Sequence, residues 1–394
     1  MARLSDEQLA AVKQHYGVNE LWSWSKLDKF LISPYEYFLK YIKHVKEDRF
    51  DCAYAPLGGL CHAIIEDFYH GKINYEDMAK TFESGWALNI GISGLKFDRN
   101  DDVKNDSISS RYKRNLECFF EDHTKIQSKL ALEQFTSAKI GDHVFQGYID
   151  AVFKDHDDYY HIIDWKTSTK YTGKTIDEKA GQLIVYVISL MQQGIPLEKI
   201  KAGWNFLKYA SVEYQQKNGA VKSRIVERSK LGEALQTNAK MWLKANGYGE
   251  KAIEMYLQSL MDSNSLEVLP KDVRCLYTLS DCYVYIPLSL ELISRWEKLI
   301  CDTIAEIKMR ESMYAQSGSD SAFWDTPENV AAQSYYFATL CGYSANLHLP
   351  YKAYLEQLDA MKNESMYSGV GADESFCVSE TKVDSNDLSW LNDL

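Results

Sequence analysis

The chain has 394 residues, 45% of them hydrophobic, which is enough to bury a large core and, by length, to form two or three domains. It has no apolar run of about 18 residues and no apolar signal segment at its start, so we expect neither a membrane span nor secretion. The net charge of −12 argues against a protein that coats nucleic acid without specificity but is compatible with a local basic groove. The eight cysteines form no CxxC pair, which favours reduced thiols in the cytoplasm.

The first part of the chain has mainly helical patterns. Residues 22–45 predict two short helices, and Ser33 with Pro34 supplies an N-cap and a first-turn proline for the second of them. Residues 57–70 predict a glycine turn that enters a further helix. We therefore expect an N-terminal helical region at 1–130.

The hydrophobic period changes from helix-like to strand-like near residue 131. Three strand-like runs follow, at 132–140, 143–153 and 159–168. The turn-forming residues between them predict an antiparallel meander. The helix predicted next, at 177–193, leads to a strand at 201–209, and a right-handed crossover would set that strand parallel to the third run. These elements and a following hairpin form the predicted core sheet at 131–228.

The remainder of the chain divides into a helical region and an acidic tail. Residues 229–365 have mainly helical patterns, whereas residues 366–394 are rich in Gly, Ser and acids and predict disorder. Between 199 and 230, eight Lys or Arg residues stand against two acids. This basic stretch is either a solvated face or a surface that follows phosphates.

An acid and a base stand two residues apart at the end of the third strand-like run. Asp164 and Lys166 share one face of that strand, and Asp150 on the preceding strand is expected close to opposite Ile162 or Ile163. Two carboxylates so close repel each other unless a cation lies between them, and their oxygens suit Mg²⁺ or Mn²⁺. A lysine beside such a metal can stabilise charge on phosphorus or orient water, which is the chemistry of phosphodiester hydrolysis. A strand-end salt bridge is the alternative explanation.

The order of these residues resembles the core motif of the PD-(D/E)XK nucleases. Asp150, followed by Asp164, Trp165 and Lys166, is similar in particular to the RecB-type branch. That branch includes CRISPR-associated and phage-encoded single-domain members.

Further motifs of the same branch lie on both sides of this core. The predicted helix after the lysine carries the Q-x-x-x-Y motif as Gln182 and Tyr186, which fall on one helix face. Upstream, Gly58 and His62 resemble the G-x-x-x-H helix that supplies an extra metal ligand, and residues 23–42 resemble the opening helices of the family. The occurrence of these motifs in family order makes the resemblance specific.

The resemblance implies an α/β fold, in which a restriction-endonuclease-like core with a mixed central β-sheet is flanked by helices and extended by further helical regions. It also implies roles for the site residues. Catalysis would involve Asp150, Asp164, Lys166, Gln182 and Tyr186. The metal, Mg²⁺ or Mn²⁺, would be held by His62, Asp150, Asp164 and the main-chain carbonyl of Trp165, with Glu66 supporting these ligands. The position of Glu133 on the first strand makes this residue a further candidate for that supporting role.

Most of these residues also have an ordinary structural explanation. A lone histidine such as His62 is commonly a satisfied core or surface residue, and Glu66 can pair with a nearby base. Gln182 and Tyr186 can be plain helix surface, and Glu133 can be a solvated strand residue.

One departure from the family concerns cysteine. Some members hold a four-cysteine iron–sulfur cluster whose first cysteine precedes a proline in the opening helices, and Ser33 stands at that position here. Near the C-terminus only Cys341 falls in the comparable segment. Because four thiolates hold such a cluster, we expect no iron–sulfur cluster and expect apolar packing to close the structure there.

DNA contacts are predicted from basic residues, and a protein contact from the acidic tail. The basic residues are Lys170, Lys174, Lys222, Arg224 and Arg228. The tail ends at 384–394 in DSNDLSWLNDL, which is a docking peptide for a basic partner, a disordered terminus, or a cover for the basic groove.

The predicted function is metal-dependent DNA hydrolysis, with exonuclease action favoured by analogy with the branch. The substrate would be single-stranded DNA or DNA with free ends, processed in recombination, repair or replication in the cytoplasm of a bacterium or phage-infected cell. Two alternatives stay open: a DNA-binding or structural component of such a complex with little cleavage, and a nuclease directed at RNA.

Overall fold

A computed structural model describes the backbone of residues 4–367 and the side chains up to residue 361. Its strands are β1 (Leu130–Ile140), β2 (His143–Lys154), β3 (Tyr160–Lys166), β4 (Ile200–Gln215), β5 (Val221–Glu227) and β6 (Tyr277–Tyr285). Its α-helices are α1 (Asp6–Tyr16), α2 (Trp24–Ile32), α3 (Pro34–Tyr37), α4 (Tyr54–Tyr69), α5 (Tyr75–Trp86), α6 (Asp102–Asp122), α7 (Lys174–Glu178), α8 (Gly181–Gln192), α9 (Leu231–Ala245), α10 (Glu250–Ser263), α11 (Lys271–Arg274), α12 (Leu290–Ser317), α13 (Pro327–Ala332) and α14 (Leu349–Tyr367). None of these helices is long and apolar enough to cross a membrane. The predicted docking segment at 384–394 lies outside the described residues.

The strands form one mixed sheet in the order β1-β2-β3-β4-β5, with β6 paired to β4. The first three strands are an antiparallel meander, and β3 and β4 are parallel, joined through α8. The β4–β5 hairpin completes the described order. The predicted mixed sheet flanked by helices is confirmed, including the parallel pair that follows from the crossover.

β3 separates two apolar clusters. Ile162 belongs to a cluster with α2, α8 and α12, whereas Ile163 belongs to a cluster with α4, α5 and α6. Successive residues of a strand point to opposite faces, so one short apolar run anchors both layers of helices. The residues at the end of β3 therefore have a fixed position.

α4 begins at Tyr54, earlier than the predicted glycine turn, so Gly58 and Gly59 lie inside the helix. Gly58 faces Thr167, since a Cβ there would lie 3.6 Å from the threonine hydroxyl oxygen. Tertiary packing on the sheet overrides the low helix propensity of glycine. The consequence for the site is that His62, one turn later on the same face, is directed at the end of β3.

The region predicted as mainly helical, 229–365, also contributes a strand to the core sheet. β6 pairs antiparallel with β4, from Gly203 opposite Tyr285 to Tyr214 opposite Tyr277. Its sequence is rich in tyrosine, which favours a strand. Helices α9, α10 and α11 pack on the outer half of β4 in an apolar cluster of their own. The C-terminal region is thus joined to the core sheet rather than separate from it.

A buried polar network connects the start of the chain to its C-terminal segment. The Ser33 hydroxyl donates to Asp325 Oδ2 at 2.7 Å, and its oxygen lies 3.0 Å from His348 Nε2. Phe337 and Cys341 are buried in the main apolar cluster. The Phe337 ring packs against the His348 ring, with ring centroids 4.9 Å apart. Apolar packing and these hydrogen bonds together close the structure, while the absence of an iron–sulfur cluster stays a prediction.

Gly181→Ala is expected to destabilise the protein by about 1–3 kcal/mol, because overpacking forces side chains and backbone to shift. A Cβ at Gly181 would lie 1.9 Å from the Trp24 ring, which joins α2 to α8. The measurement is the denaturant midpoint of each variant. Gly91→Ala is the matched control, since a Cβ there meets no atom within 4 Å. Equal midpoints for the two variants would contradict this account of the α2–α8 contact.

Candidate active site

The candidate site lies where the end of β3 meets β1, β2, α4 and α8. Ala151 pairs with Ile163, which brings Asp150 opposite Asp164 on the adjacent strand. The expectation that Asp150 faces Ile162 or Ile163 is therefore corrected, because the turn between β2 and β3 is longer than it assumed. Both carboxylates are buried, with 9% and 2% of their residues' surface exposed.

Asp164 and Lys166 form an ion pair on one face of β3. Lys166 Nζ lies 2.8 Å from Asp164 Oδ2, and beyond this ion pair no hydrogen-bond donor of the described residues reaches that buried oxygen. Burial acts to lower the pKa of Lys166, but its interactions with Asp164, Tyr171 and Asp150 raise the pKa above its usual value. The lysine is therefore a cation at neutral pH, suited to stabilise negative charge rather than to take up a proton.

Asp150 contacts the main chain of β3 and the imidazole of His62. Its Oδ2 accepts a hydrogen bond from the Trp165 amide at 2.9 Å and lies 3.5 Å from His62 Nδ1. Burial, and then the charge of Asp164, raises the pKa of Asp150 to about 7. A carboxyl group with this pKa exchanges its proton near neutral pH, so a metal cation can replace that proton.

His62 reaches the site from α4. Its Nε2 lies 2.7 Å from the main-chain oxygen of Trp165, so the imidazole N–H donates to that carbonyl and Nδ1 is the atom that faces Asp150. The family resemblance predicts that His62 and the Trp165 carbonyl bind one metal. The structure brings the two groups together and joins them by a hydrogen bond.

Glu133 stands closer to the chemistry than its sequence context indicates. It occupies the gap in the β1–β2 register opposite Asp150, and its backbone is left-handed with φ +45°. Such a conformation costs roughly 1–3 kcal/mol in a residue other than glycine and is found at functional sites. Ligand atoms of His62, Glu133 and Asp150 all lie within 4.8 Å of one another. Glu133 is thus a candidate metal ligand, whereas Asp164 stands outside this group and pairs with Lys166.

Gln182 and Tyr186 connect α8 to β2 beside the carboxylates. Gln182 Nε2 donates to the Tyr186 hydroxyl at 3.0 Å, and that hydroxyl donates to the Tyr148 carbonyl at 2.8 Å. The ring of Tyr186 lies against Gly147, where a Cβ would approach its Cε1 to 2.7 Å. The two residues therefore fix the strand that carries Asp150, and Gly147 is needed for the close approach.

Glu66 lies one helical turn beyond His62 but outside the group of three ligand atoms. Its Oε1 is 3.5 Å from His70 Nε2, a further turn along α4. In this structure it pairs with a neighbouring base, which is the alternative that its sequence context left open.

The basic residues predicted to contact DNA lie at different distances from the site. Lys170 lies in the connection after β3, and Lys174 begins α7 and is exposed. Lys222 and Arg224 are exposed on β5, where they pair with Tyr214 and Val212 of β4. These two β4 residues lie ten and eight positions beyond Trp204, which pairs with Asp164. That is roughly 26–33 Å along the strand. The structure therefore does not bring Lys222 and Arg224 to the carboxylates.

Arg228 is an internal residue, so the prediction that it contacts DNA is wrong. Its Nη2 lies 2.5 Å from Asp281 Oδ1, and its Nε donates to the Leu207 carbonyl at 3.0 Å. Only 4% of the residue is exposed. The error follows from the missed strand β6, because Asp281 on that strand is the acid that pairs with Arg228.

A cleft of about 900 Å³ opens beside the site and is lined by Glu133, Asp150 and Lys166. Its other lining residues include Ser23, Trp24, Asp28, Gln182, Tyr186 and Trp296. Burial raises the pKa of Asp28 against the opposing effect of Lys179, and sequence reasoning did not single out this acid. The cleft is of the size that binds small organic ligands or parts of a polymer.

The donor groups at the site fit a divalent cation that prefers oxygen ligands. Two carboxylates and one imidazole are the ligand types that Mg²⁺ and Mn²⁺ accept, with water filling the remaining positions. The raised pKa of Asp150 shows that the protein does not fully compensate a negative charge on this buried carboxylate. A cation held between these groups would compensate it.

Comparison with known proteins gives one family. A family model described as the PD-(D/E)XK nuclease superfamily matches residues 21–317, a span that begins before α2 and includes the whole sheet. A comparison with curated proteins gave no match.

Metal affinity is expected to rise with pH across neutrality. Asp150 must lose its proton to bind a cation, and its pKa is about 7, so protons compete with the metal below that pH and not above it. We expect the Kd for Mn²⁺ to be about tenfold higher at pH 6 than at pH 8, measured by isothermal titration calorimetry. Equal affinities at the two pH values would contradict the raised pKa.

Two substitutions separate the backbone strain at Glu133 from its chemistry. Glu133→Gly removes both the left-handed strain and the carboxylate, so we expect a protein about 1 kcal/mol more stable that binds Mn²⁺ more weakly. Glu133→Gln keeps the strain and removes the charge, so only metal binding should weaken. Thermal unfolding and Mn²⁺ titration measure the two effects. Unchanged metal binding in both variants would show that Glu133 is not a ligand.

Proposed function

The chain belongs to the PD-(D/E)XK nuclease superfamily, and from this we propose that it is a Mg²⁺- or Mn²⁺-dependent DNA nuclease similar to the RecB-type exonucleases. The main support is one juxtaposition: the Asp164–Lys166 ion pair stands beside the donor group of His62, Glu133 and Asp150. A charged lysine next to an acidic metal-binding group provides what phosphodiester hydrolysis requires.

The side chains divide the work between metal binding and charge stabilisation. A cation bound at His62, Glu133 and Asp150 would supply positive charge to the scissile phosphate and lower the pKa of a coordinated water. Lys166 stays protonated and donates hydrogen bonds to phosphate oxygens, and Asp164 holds its ammonium group in place. The resemblance to the family adds Asp164 and the Trp165 carbonyl to the ligand set.

Other residues keep this arrangement rigid and guide the substrate. Gln182 and Tyr186 hold α8 against the strand that carries Asp150. Lys170 and Lys174, in the segment after β3, would contact phosphates of the bound strand. Net hydrolysis adds one water across one P–O bond, and the resemblance to the family implies that the new end carries a 5′-phosphate.

The biological setting follows from the same resemblance. Exonuclease action on single-stranded DNA or free ends is the activity of many RecB-type enzymes, and it suits recombination, repair or replication in a bacterial or phage-infected cytoplasm. The acidic segment at 384–394 would serve as the contact for a protein partner.

Lys166→Ala is expected to lower the cleavage rate by at least about 100-fold, because it removes a preorganised positive charge at the scissile phosphate. Purified protein would be incubated with 5′- and 3′-labelled single- and double-stranded DNA in Mn²⁺, Mg²⁺ or EDTA. The label pattern distinguishes exonuclease from endonuclease action and gives the polarity. Lys240→Ala, on the outer helix α9, is the matched control.

The outcomes separate the proposed activity from its alternatives. Cleavage that requires metal and is lost only in Lys166→Ala is the expected result. Faster cleavage of matched RNA oligomers would indicate an RNA-directed enzyme. Folded protein that binds DNA but cleaves nothing with any metal would contradict the nuclease assignment and indicate a binding component.

A further inference from the structure

A second pocket of about 430 Å³ lies beside the first residues of β1. Leu130 and Leu132, which precede Glu133 on β1, form one wall of this pocket. The end of α4 forms another wall, and the segment between α6 and β1 forms the rest. No part of the proposed metal chemistry uses this pocket.

The second pocket shares its walls with the metal group. Tyr69, which lines it, lies two turns beyond His62 on α4, or about 10 Å along the helix. The Tyr69 ring is stacked on Trp165, with centroids 6.3 Å apart and planes inclined by 12°. The carbonyl of that same Trp165 contacts His62. At about 3.4 Å per nucleotide, a strand of nucleic acid that passes from the cleft across the metal group would span this distance with about three nucleotides.

The charge in the second pocket is positive. Lys125 and Lys129 line it, and neither forms an ion pair with any acid of the described residues. The ammonium group of Lys125 lies 5.1 Å from the Phe68 ring centroid. Two cations beside an aromatic and aliphatic wall are the combination that binds a nucleotide, with the phosphate on the cations and the base or sugar on the wall.

We propose that the second pocket binds the terminal nucleotide of a strand whose end carries a phosphomonoester, with Lys125 and Lys129 contacting that phosphate. The assignment rests on the proposed nuclease function. A phosphomonoester carries a charge of about −1.5 to −2 at neutral pH, more than a phosphodiester in the middle of a strand. Two lysines that form no ion pair with the carboxylates of the described residues therefore favour a phosphorylated end over a continuing chain. In this arrangement the distance between the pocket and the metal group determines how far from the strand end the cleaved bond lies.

The test compares three oligonucleotides of one sequence, with a phosphate at the 5′ end, at the 3′ end or at neither end. Each is given to the wild type, to the double variant Lys125→Ala/Lys129→Ala and to the control Lys240→Ala/Lys251→Ala. The control lysines are exposed on α9 and α10 and form no ion pair among the described residues. The readout is the rate of metal-dependent cleavage of each substrate.

We expect the wild type and the control to cleave one of the phosphorylated substrates about 5- to 10-fold faster than the unphosphorylated one. In the Lys125→Ala/Lys129→Ala variant the preference should fall to within about twofold, while the rate on the unphosphorylated substrate is unchanged. Equal rates on all three substrates in the wild type, or a preference that survives in the variant, would overturn the assignment.

A binding measurement keeps this test separate from the proposed function. If the wild type cleaves no substrate, the nuclease proposal fails, and fluorescence anisotropy of the three oligonucleotides in EDTA then decides about the pocket. Tighter binding of a phosphorylated oligonucleotide that depends on Lys125 and Lys129 would support the pocket. Equal binding of all three oligonucleotides would reject it.

Discussion

Two buried carboxylates that face each other across adjacent strands are the constraint on which the site depends. Asp150 and Asp164 cannot move apart, because β3 is packed between two apolar clusters and paired on both edges. Burial, and then the charge of Asp164, raises the pKa of Asp150, and Lys166, 2.8 Å from Asp164, relieves the repulsion on one side. On the other side, among the described residues, Asp150 contacts a main-chain amide at 2.9 Å and the imidazole of His62 at 3.5 Å. A cation bound beside Asp150 is therefore expected to stabilise the folded protein more than a cation bound beside Asp164.

The helices around the sheet act on this site by holding its strands at fixed distances. Gly147 allows the Tyr186 ring to lie directly on β2. Gly181 likewise allows the Trp24 ring of α2 to lie directly on α8. Both contacts lie along the cleft that leads to the carboxylates. The strained backbone of Glu133 is maintained by the same rigid frame, since β1 is paired with β2 on both sides of it.

Strands β1 to β5 could be predicted from the sequence because their signals are local. Three alternating runs with turn residues between them predict the meander, and the helical stripe at 177–193 predicts the crossover that sets β3 and β4 parallel. The carboxylates and Lys166 could be brought together from spacing alone. By contrast, β6 lies far along the chain from β4, and its pairing depends on non-local contacts. Missing β6 also hid Asp281, and this led to the wrong role for Arg228. The importance of Glu133 depends on a backbone angle, and an acid within a strand-like run was the only sequence signal for it.

The central proposal is a cation bound between the end of β3 and α4. Its most direct test compares metal binding by the Asp150→Asn variant with metal binding by the wild type. Isothermal titration with Mn²⁺ at pH 8, followed by cleavage of a labelled oligonucleotide by the same preparations, would be measured on both proteins. The account predicts that the wild type binds Mn²⁺ and cleaves, and that Asp150→Asn, still folded, loses both properties together. Full Mn²⁺ binding and cleavage by the variant would contradict it, because the buried carboxylate pair would then have no part in the chemistry.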